Sequence, residues 1–411
     1  MKKQQEFKNT EIGRIPREWE VVRLGDEQVA EIKGNKSINR FNEVAFIPME
    51  AVPDSGIFVN FEIRPMEEVK SFTYCESGDL LLAKITPSLE NGKQGIVPDS
   101  VPNGFALATT EVFPIKCKSI EKLFLFYVLK DSRFRNKIIA SMTGTTGRQR
   151  ATKVSVKNLF IPLPPFPEQQ KIAEILSTVD QAIEKVDDSI AKTERLKKGL
   201  MQELLTKGIG HKEFKDTEIG RIPKEWEVVR LKESKEIDLI MGQSPPGKSY
   251  NKKGEGLPFI QGKAEFGNMY PSPILWTTQP TKIAEEGDIL ISVRAPVGDV
   301  NICPYRLCIG RGLAAIRIKE GSNIFYFYWF QKEKQRIESI GKGSTFKAIT
   351  KDELSNIFIP FPSLPEQQKI AEILSTVDKR LELLRNKKEK MERVKKGLMN
   401  DLLTGKRRVK V

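Results

Sequence analysis

The sequence predicts a mixed α/β chain built twice. Two α/β globules are joined by two long helices that pair as an antiparallel intramolecular coiled coil, giving a pseudo-twofold internal repeat. Three observations carry this reading. The stretch PEQQKIAEILSTVD occurs at 167–180 and returns unchanged at 365–378. FKNTEIGRIPREWEVVRL at 7–24 returns as FKDTEIGRIPKEWEVVRL at 214–231, with only Asn9/Asp216 and Arg17/Lys224 differing. After each PEQQ the apolar residues alternate spacings of four and three, the period of a helix that buries a seam against a second helix.

The flanks of these repeats match as well. NLFIPLPPF at 158–166 stands against NIFIPFPSL at 356–364, and ERLKKGLMQELLT at 194–206 against ERVKKGLMNDLLT at 392–404. A unit of about 200 residues is therefore written twice, and a period this long means duplicated domains rather than a solenoid. A chain of 411 residues exceeds one ordinary core. The expected division is a first globule at 1–165, a first helix at 166–206, a second globule at 207–363, and a second helix with a basic tail at 364–411.

Within the globules, EVAFIPME (43–50), GDLLLAKI (78–85), LPFIQG (257–262), GDILISVR (287–294) and LAAIRIK (313–319) read as strands. Residues 122–142 and 324–341 read as short helices, with Gly, Pro and Asn marking long loops between elements. The expected helix-pair seam is Ile172, Leu176, Val179, Ile183, Val186 and Ile190 in the first helix. In the second it is Ile370, Leu374, Val377, Leu381 and Leu384. Pro167 and Pro365 suit a first helical turn, where the missing N–H costs nothing, and the glutamate next to each offsets the helix dipole. A single striped helix this long needs a partner, and the nearest is the other copy. The simpler alternative is that each helix packs only on its own globule.

Composition narrows the function. Cys75, Cys117, Cys303 and Cys308 form no CxxC pair, and with one histidine they offer neither a zinc site nor a disulfide framework. They read as small buried residues, and His211, in the polar stretch GIGHKEF, as a solvated side chain. No apolar run reaches a membrane span, and MKKQQEFKNT has no apolar signal core, so the cytoplasm is expected. GQSPPGKS at 242–249 matches the phosphate-loop pattern letter for letter. Pro245 and Pro246 remove two of the N–H donors such a loop needs, and the downstream SYNKKGEGLP cannot open a helix; it reads as a polar loop. Pro53-Asp54 with Glu68-Val69-Lys70 has the letters of a nuclease metal site but no counterpart in the second half. No motif for nucleotide binding, base methylation or a histidine triad remains, so the chain reads as non-catalytic, with no metal and no small-molecule substrate.

The formal charge is +14, which suggests a polyanionic partner. Residues 168–205 carry −2 and 366–403 carry +3, while Lys406, Arg407, Arg408 and Lys410 add +4. The remaining +9 lies in the globules and their lead-in segments, which hold the divergent middles, where a nucleic-acid reader would place it. Loops mixing Arg and Lys with Gly, Thr and Gln reach phosphates and base edges. The candidates are Arg148, Gln149, Arg150 and Lys153 in TGTTGRQRATK, and Lys342 and Lys347 in GKGSTFK. Lys84 and Arg294 are expected at matching ends of the two GD strands. A scaffold whose coiled coil binds acidic proteins without reading DNA is the competing function.

Taken together, GxIPxEWEVVRL opening both halves, GDxLL/GDIL with a basic residue soon after, a Gly/Thr loop, and IPxPxxxEQQKIAEILSTVD entering each helix resemble the specificity subunit of type I restriction–modification systems. The likeness covers essentially the whole chain, and GQSPPGKSY looks like a lead-in loop of its recognition domains. It implies two target-recognition domains, each reading one half of a split double-stranded DNA site, with the helix pair holding the unread spacer. It also implies two docked modification subunits that bind S-adenosylmethionine and methylate adenine, with two restriction subunits using ATP and Mg able to join them. Identical repeats then suit identical partners. A helix of 38 residues spans about 57 Å, so the half-site centres lie no more than about 17 base pairs apart.

Overall fold

The computed structural model describes residues 6–410 apart from 35, 37, 39–40, 146 and 342–347. The chain divides into two units, Met1–Asp188 with Asn386–Val411, and Ser189–Arg385. Each long helix, Phe166–Lys207 and Leu364–Leu402, passes from one unit into the other. The cut falls inside the helices because the two ends of each helix bury apolar faces in different cores. Among the described residues no helix is long and apolar enough to cross a membrane.

The first unit has two four-stranded sheets. One runs Glu62–Pro65, Glu43–Ile47, Phe105–Ala108, Thr73–Glu76; the other runs Ala30–Ile32, Val112–Cys117, Leu80–Ala83, Gln94–Ile96. Helix Lys122–Lys130 is apolar through residues 123–129, and its six residues from Phe124 to Leu129 are all buried, as an all-round apolar helix requires. Helix Ser132–Ala140 comes next, after Asp131 caps its start. The second unit repeats the plan with a four-stranded sheet, Ile237–Met241, Leu313–Ile318, Ile289–Ser292, Val300–Ile302, and a five-stranded one around Leu257–Ile260. Its helix Asn323–Gly341 carries the buried run from Phe325 to Phe330. The strand and helix expectations thus fall on observed elements, with residues 122–142 split into two helices at Asp131.

The Gly-Asp pair that opens each central strand has a local cause. Gly78 and Gly287 turn with positive φ of 82° and 87°, and Asp79 and Asp288 accept from the N–H of Glu76 (2.7 Å) and Glu285 (2.8 Å). The phosphate-loop letters form only a 3-10 turn, Gly247–Ser249, leading into the short strand Tyr250–Asn251.

The repeated letters hold one another. In each unit EVVR of the opening repeat pairs antiparallel with the strand before the helix, in the same register: Glu20 with Leu163 to Arg23 with Phe160, and Glu227 with Phe361 to Arg230 with Phe358. The Nε1–H of Trp19 donates to Glu168 at 3.0 Å, and that of Trp226 donates to Glu366 at 3.0 Å. Gln169 accepts from Glu121 N–H at 2.8 Å, as Gln367 does from Ser322 N–H at 2.9 Å. The Tyr127 hydroxyl donates to Asp180 at 2.8 Å, and the Tyr328 hydroxyl to Asp378 at 2.7 Å. Much of PEQQKIAEILSTVD is therefore turned inward.

The third member of each glutamate cluster differs. Glu168 takes Arg408 of the C-terminal tail at 2.6 Å, whereas Glu366 takes His211 at 2.9 Å. His211 is thus no solvated linker side chain. Gly208, at φ +63°, ends the first long helix, and a Cβ there would collide with Glu366, His211 and Trp226. The tight turn lays the imidazole edge-on against Trp226. Arg408, for its part, belongs to an ion-pair cluster with Glu168 and Glu18 rather than to a free basic tail.

Of the expected seam residues, Ile172 and Leu176 join the first unit's core together with Leu402 and Leu403. Ile370 and Leu374 join the second unit's core together with Leu205. Val186, Leu381 and Leu384 are buried; Val179, Ile183, Ile190 and Val377 are half-buried. In the first unit Lys395 pairs with Asp180 (2.5 Å) and Lys388 with Asp187 (2.7 Å). In the second, Lys197 pairs with Asp378 and Arg385 with Glu194, both at 2.7 Å.

Candidate nucleic-acid interface

The loop holding Arg148, Gln149 and Arg150 folds back on the end of the strand Leu80–Ala83. Arg150 exchanges backbone hydrogen bonds with Thr143 (2.9 and 3.0 Å), Thr86 N–H donates to Gln149 O at 3.0 Å, and Ala151 N–H to Lys84 O at 2.8 Å. Gly144, with φ +126°, makes the turn; a Cβ there would press on Arg148 O at 2.9 Å. The structure thus brings Lys84 and Arg148–Arg150 together. Thr152 then caps helix Lys153–Lys157, placing Lys153 exposed on its first turn.

Arg148 and Gln149 are exposed, and Arg148 has no carboxylate partner among the described residues. Arg150 differs: its Nε donates to Glu111 Oε2 at 3.0 Å and its Nη2 to Oε1 at 2.9 Å. That fork holds the Glu111 carboxyl below the ordinary carboxylate range, helped by the nearby Lys84 charge. The Lys84 ammonium sits 5.3 Å from the centre of the Phe113 ring.

In the second unit the strand Ile289–Ser292 receives the same docking. Ile349 N–H donates to Val293 O at 2.9 Å, and Val293 N–H to Gly312 O at 2.9 Å, as Lys84 N–H does to Glu111 O at 3.0 Å. Lys84 is therefore the equivalent of Val293, and Arg294 that of Ile85. The expected match of Lys84 with Arg294 is one residue out, because the two sequences align on the Gly-Asp turn and not on their basic residues. The bridge Ile85–Arg150 corresponds to Arg294–Ala348, so each unit places one arginine on this bridge, from opposite strands. Arg294 is exposed and has no carboxylate partner among the described residues; the position of Glu111 is held by Gly312, where a Cβ would lie 2.7 Å from Gln261 O. Lys342 and Lys347 lie outside the described residues.

Two copies of one frame, with different side chains on the equivalent bridge, are what a duplicated reading module presents. The family model for the type I restriction modification DNA specificity domain matches residues 16–194 and again 223–393. The chain belongs to that family. A Methanocaldococcus jannaschii protein named as the specificity subunit of the type I restriction enzyme MjaX is 43% identical, over 99% of this chain and 98% of its own. The MjaVIII specificity subunit of the same organism is 32% identical, over 99% of this chain and 97% of its own. A structure solved to explain complex assembly and conformational transition of the type I R-M system is 29% identical. It covers 95% of this chain and 99% of its own, with a TM-score of 0.60.

Much of the positive charge in this specificity-domain chain is already neutralised. Lys33 is enclosed between Glu76 (2.7 Å) and Asp79 (2.6 Å), and Arg317 is forked to Asp288. Sequence reasoning missed Glu111, because its partner lies 39 residues away and no local pattern marks the pair. It also missed Lys36 and Arg64, which lie over the rings of Tyr74 (5.1 Å) and Phe46 (4.4 Å). Among the described residues no group of three or more His, Cys, Asp or Glu side chains is placed to hold a metal ion.

The Lys33 cluster gives a pH dependence. The hydrogen bond from Lys33 holds the Glu76 carboxyl down to about 2, against an ordinary 4.5. A depressed carboxylate contributes stability that is present above its unfolded value and lost as pH falls through the folded one. Glu76 is thus expected to steepen the loss of stability from pH 4.5 down to about 2. Burial pushes Asp79 the opposite way, so the comparison that isolates Glu76 is with Glu76→Gln. Urea unfolding of both proteins across that window should show a shallower acid slope for the variant; equal slopes would refute the assignment.

Proposed function

We propose that the chain is the non-catalytic DNA-specificity subunit of a type I restriction–modification complex, working in the cytoplasm. Residues 1–165 form the first target-recognition domain and 207–363 the second, each reading one half of a split duplex site. The helices at 166–206 and 364–411 pair as an antiparallel coiled coil that sets the spacer. The observation that carries this reading is the pair of equivalent docking strands with unlike loops: one frame, two sets of side chains. Lys84, Arg148, Gln149, Arg150 and Lys153 serve one half-site, and Arg294, Lys342 and Lys347 the other.

The ion pairs support the coiled coil, since residue numbers rise along one helix as they fall along the other (180 and 187 against 395 and 388). Partner docking is supported by the outward letters of the repeat. Gln170, Lys171, Glu174 and Thr178 in one copy match Gln368, Lys369, Glu372 and Thr376 in the other. Apart from the half-buried Lys171, all are exposed. Lys171–Glu174 and Lys369–Glu372 form the same ion pair, at 2.7 and 2.8 Å. Two identical modification subunits carrying S-adenosylmethionine find the same surface twice, and two ATP- and Mg-dependent restriction subunits complete the assembly.

Gel-shift titration of the complex with its modification subunits against duplexes varied in each half tests this. Arg148→Ala is expected to weaken binding to one half-site by about tenfold and leave preference at the other unchanged. Equal loss at both halves overturns the assignment of one domain to one half-site. Binding that ignores sequence, or lacks a steep fall with salt, favours the scaffold function instead.

A further inference from the structure

Of the two arginines on the equivalent bridges, Arg150 is held by a carboxylate, whereas Arg294 has no carboxylate partner among the described residues. We propose that Glu111 is a positioning residue that aims Arg150 at a guanine in the first half-site, while Arg294, lacking such a partner, contacts the DNA backbone. The inference rests on the DNA-reading function proposed above and assigns to this position a base that the function alone does not.

The donor count carries the argument. A guanidinium has five N–H groups. Glu111 takes the Nε–H and one Nη2–H, which leaves both Nη1–H groups and one Nη2–H. Of these three, one on each terminal nitrogen makes the end-on fork that spans guanine O6 and N7 in the major groove. The carboxylate thus occupies the side of the guanidinium that base reading does not need. The backbone beneath is fixed too, by the hydrogen bonds of Arg150 to Thr143 and of Ala151 to Lys84, so little side-chain freedom remains to be lost on binding. Arg150 stays about half exposed at 48%, with Glu111 at 25% beneath it.

The second unit lacks the carboxylate. Gly312 replaces Glu111 and has no room for a side chain, because its Cβ would meet Gln261 O at 2.7 Å. Among the described residues no carboxylate occupies the donors of Arg294 or fixes its rotamer, which suits a phosphate, where many geometries serve.

The test uses the full chain in complex with its modification subunits and duplex libraries randomised through both half-sites. Glu111→Gln keeps the shape but weakens the grip on Nε and Nη2. It is expected to lower preference for G·C at one base pair of one half-site by about tenfold, leaving base preference in the other half-site unchanged. Arg150→Ala should erase the same column, and Glu111→Gln added to Arg150→Ala should cost nothing further. Wild-type preference for G·C there that survives Glu111→Gln overturns this inference alone, as does loss spread evenly over the half-site. A wild-type complex with no base preference in that half overturns the function on which it rests.

Discussion

Glu168→Ala is expected to destabilise the first unit by about 3 kcal/mol, lowering its melting temperature by about 6–12 °C. Glu168 is buried and holds two groups at once: the Trp19 indole N–H at 3.0 Å and the Arg408 guanidinium at 2.6 and 2.8 Å. Removing it leaves an arginine that cannot shed its charge, with its side chain only 29% exposed and only the exposed Glu18 still paired to it at 3.1 Å, beside an indole without an acceptor. A lost partner of this kind costs far more than the pair itself contributes. Glu366→Ala in the second unit should cost clearly less, because its partner His211 is not a permanent cation as the Arg408 guanidinium is. Each unit has its own core, so calorimetry can read the two separately. Equal losses from the two substitutions, or a loss under about 1 kcal/mol for Glu168→Ala, would show that the charge of Arg408 is not what distinguishes the clusters.

The second large effect concerns the spacer. Inserting one heptad into each long helix, after Asp188 and after Arg385, keeps the apolar period intact and adds about 10.5 Å, or about three base pairs. The duplex bound best should then carry a spacer longer by that amount, with both half-site sequences unchanged. Inserting a heptad into one helix only staggers the pair, so that the first unit's ion pairs (Asp180–Lys395, Asp187–Lys388) and the second unit's (Lys197–Asp378, Arg385–Glu194) can no longer all be kept in one register. Simultaneous engagement of two half-sites is lost, and affinity for the split site should drop on the order of 100-fold. Gel shifts against duplexes of graded spacer length read both outcomes. An unchanged optimum after paired insertion would remove the helices from the role of ruler.

The duplication and the two long helices were legible in the letters because they depend on local periodicity and on identity. PEQQKIAEILSTVD showed an apolar stripe, and the stripe is buried at Ile172, Leu176, Ile370 and Leu374. What the letters obscured was which residues serve which surface. The repeat seemed to face partners, yet Glu168, Gln169, Asp180 and their copies turn inward to Trp19, Glu121, Tyr127 and the equivalents. A polar residue repeated for an outward contact and one repeated for an inward hydrogen bond look the same in sequence, since each is needed in both copies.

The candidate reading residues divide along the same line. Composition and loop chemistry pointed to Arg148, Gln149 and Arg150, and the fold does gather them beside Lys84. Nothing local distinguished Arg150 from Arg148, because the difference is a carboxylate 39 residues earlier, carried there by the pairing of Val112–Cys117 with Leu80–Ala83. His211 was misjudged for the same reason: a glycine turn after the first long helix sends the chain back to Glu366, as one after the second brings Arg408 to Glu168. Period and repeat are written within a few turns of chain and survive in the sequence. The partner of a charge is chosen by distance in space, which only strand pairing and helix docking establish.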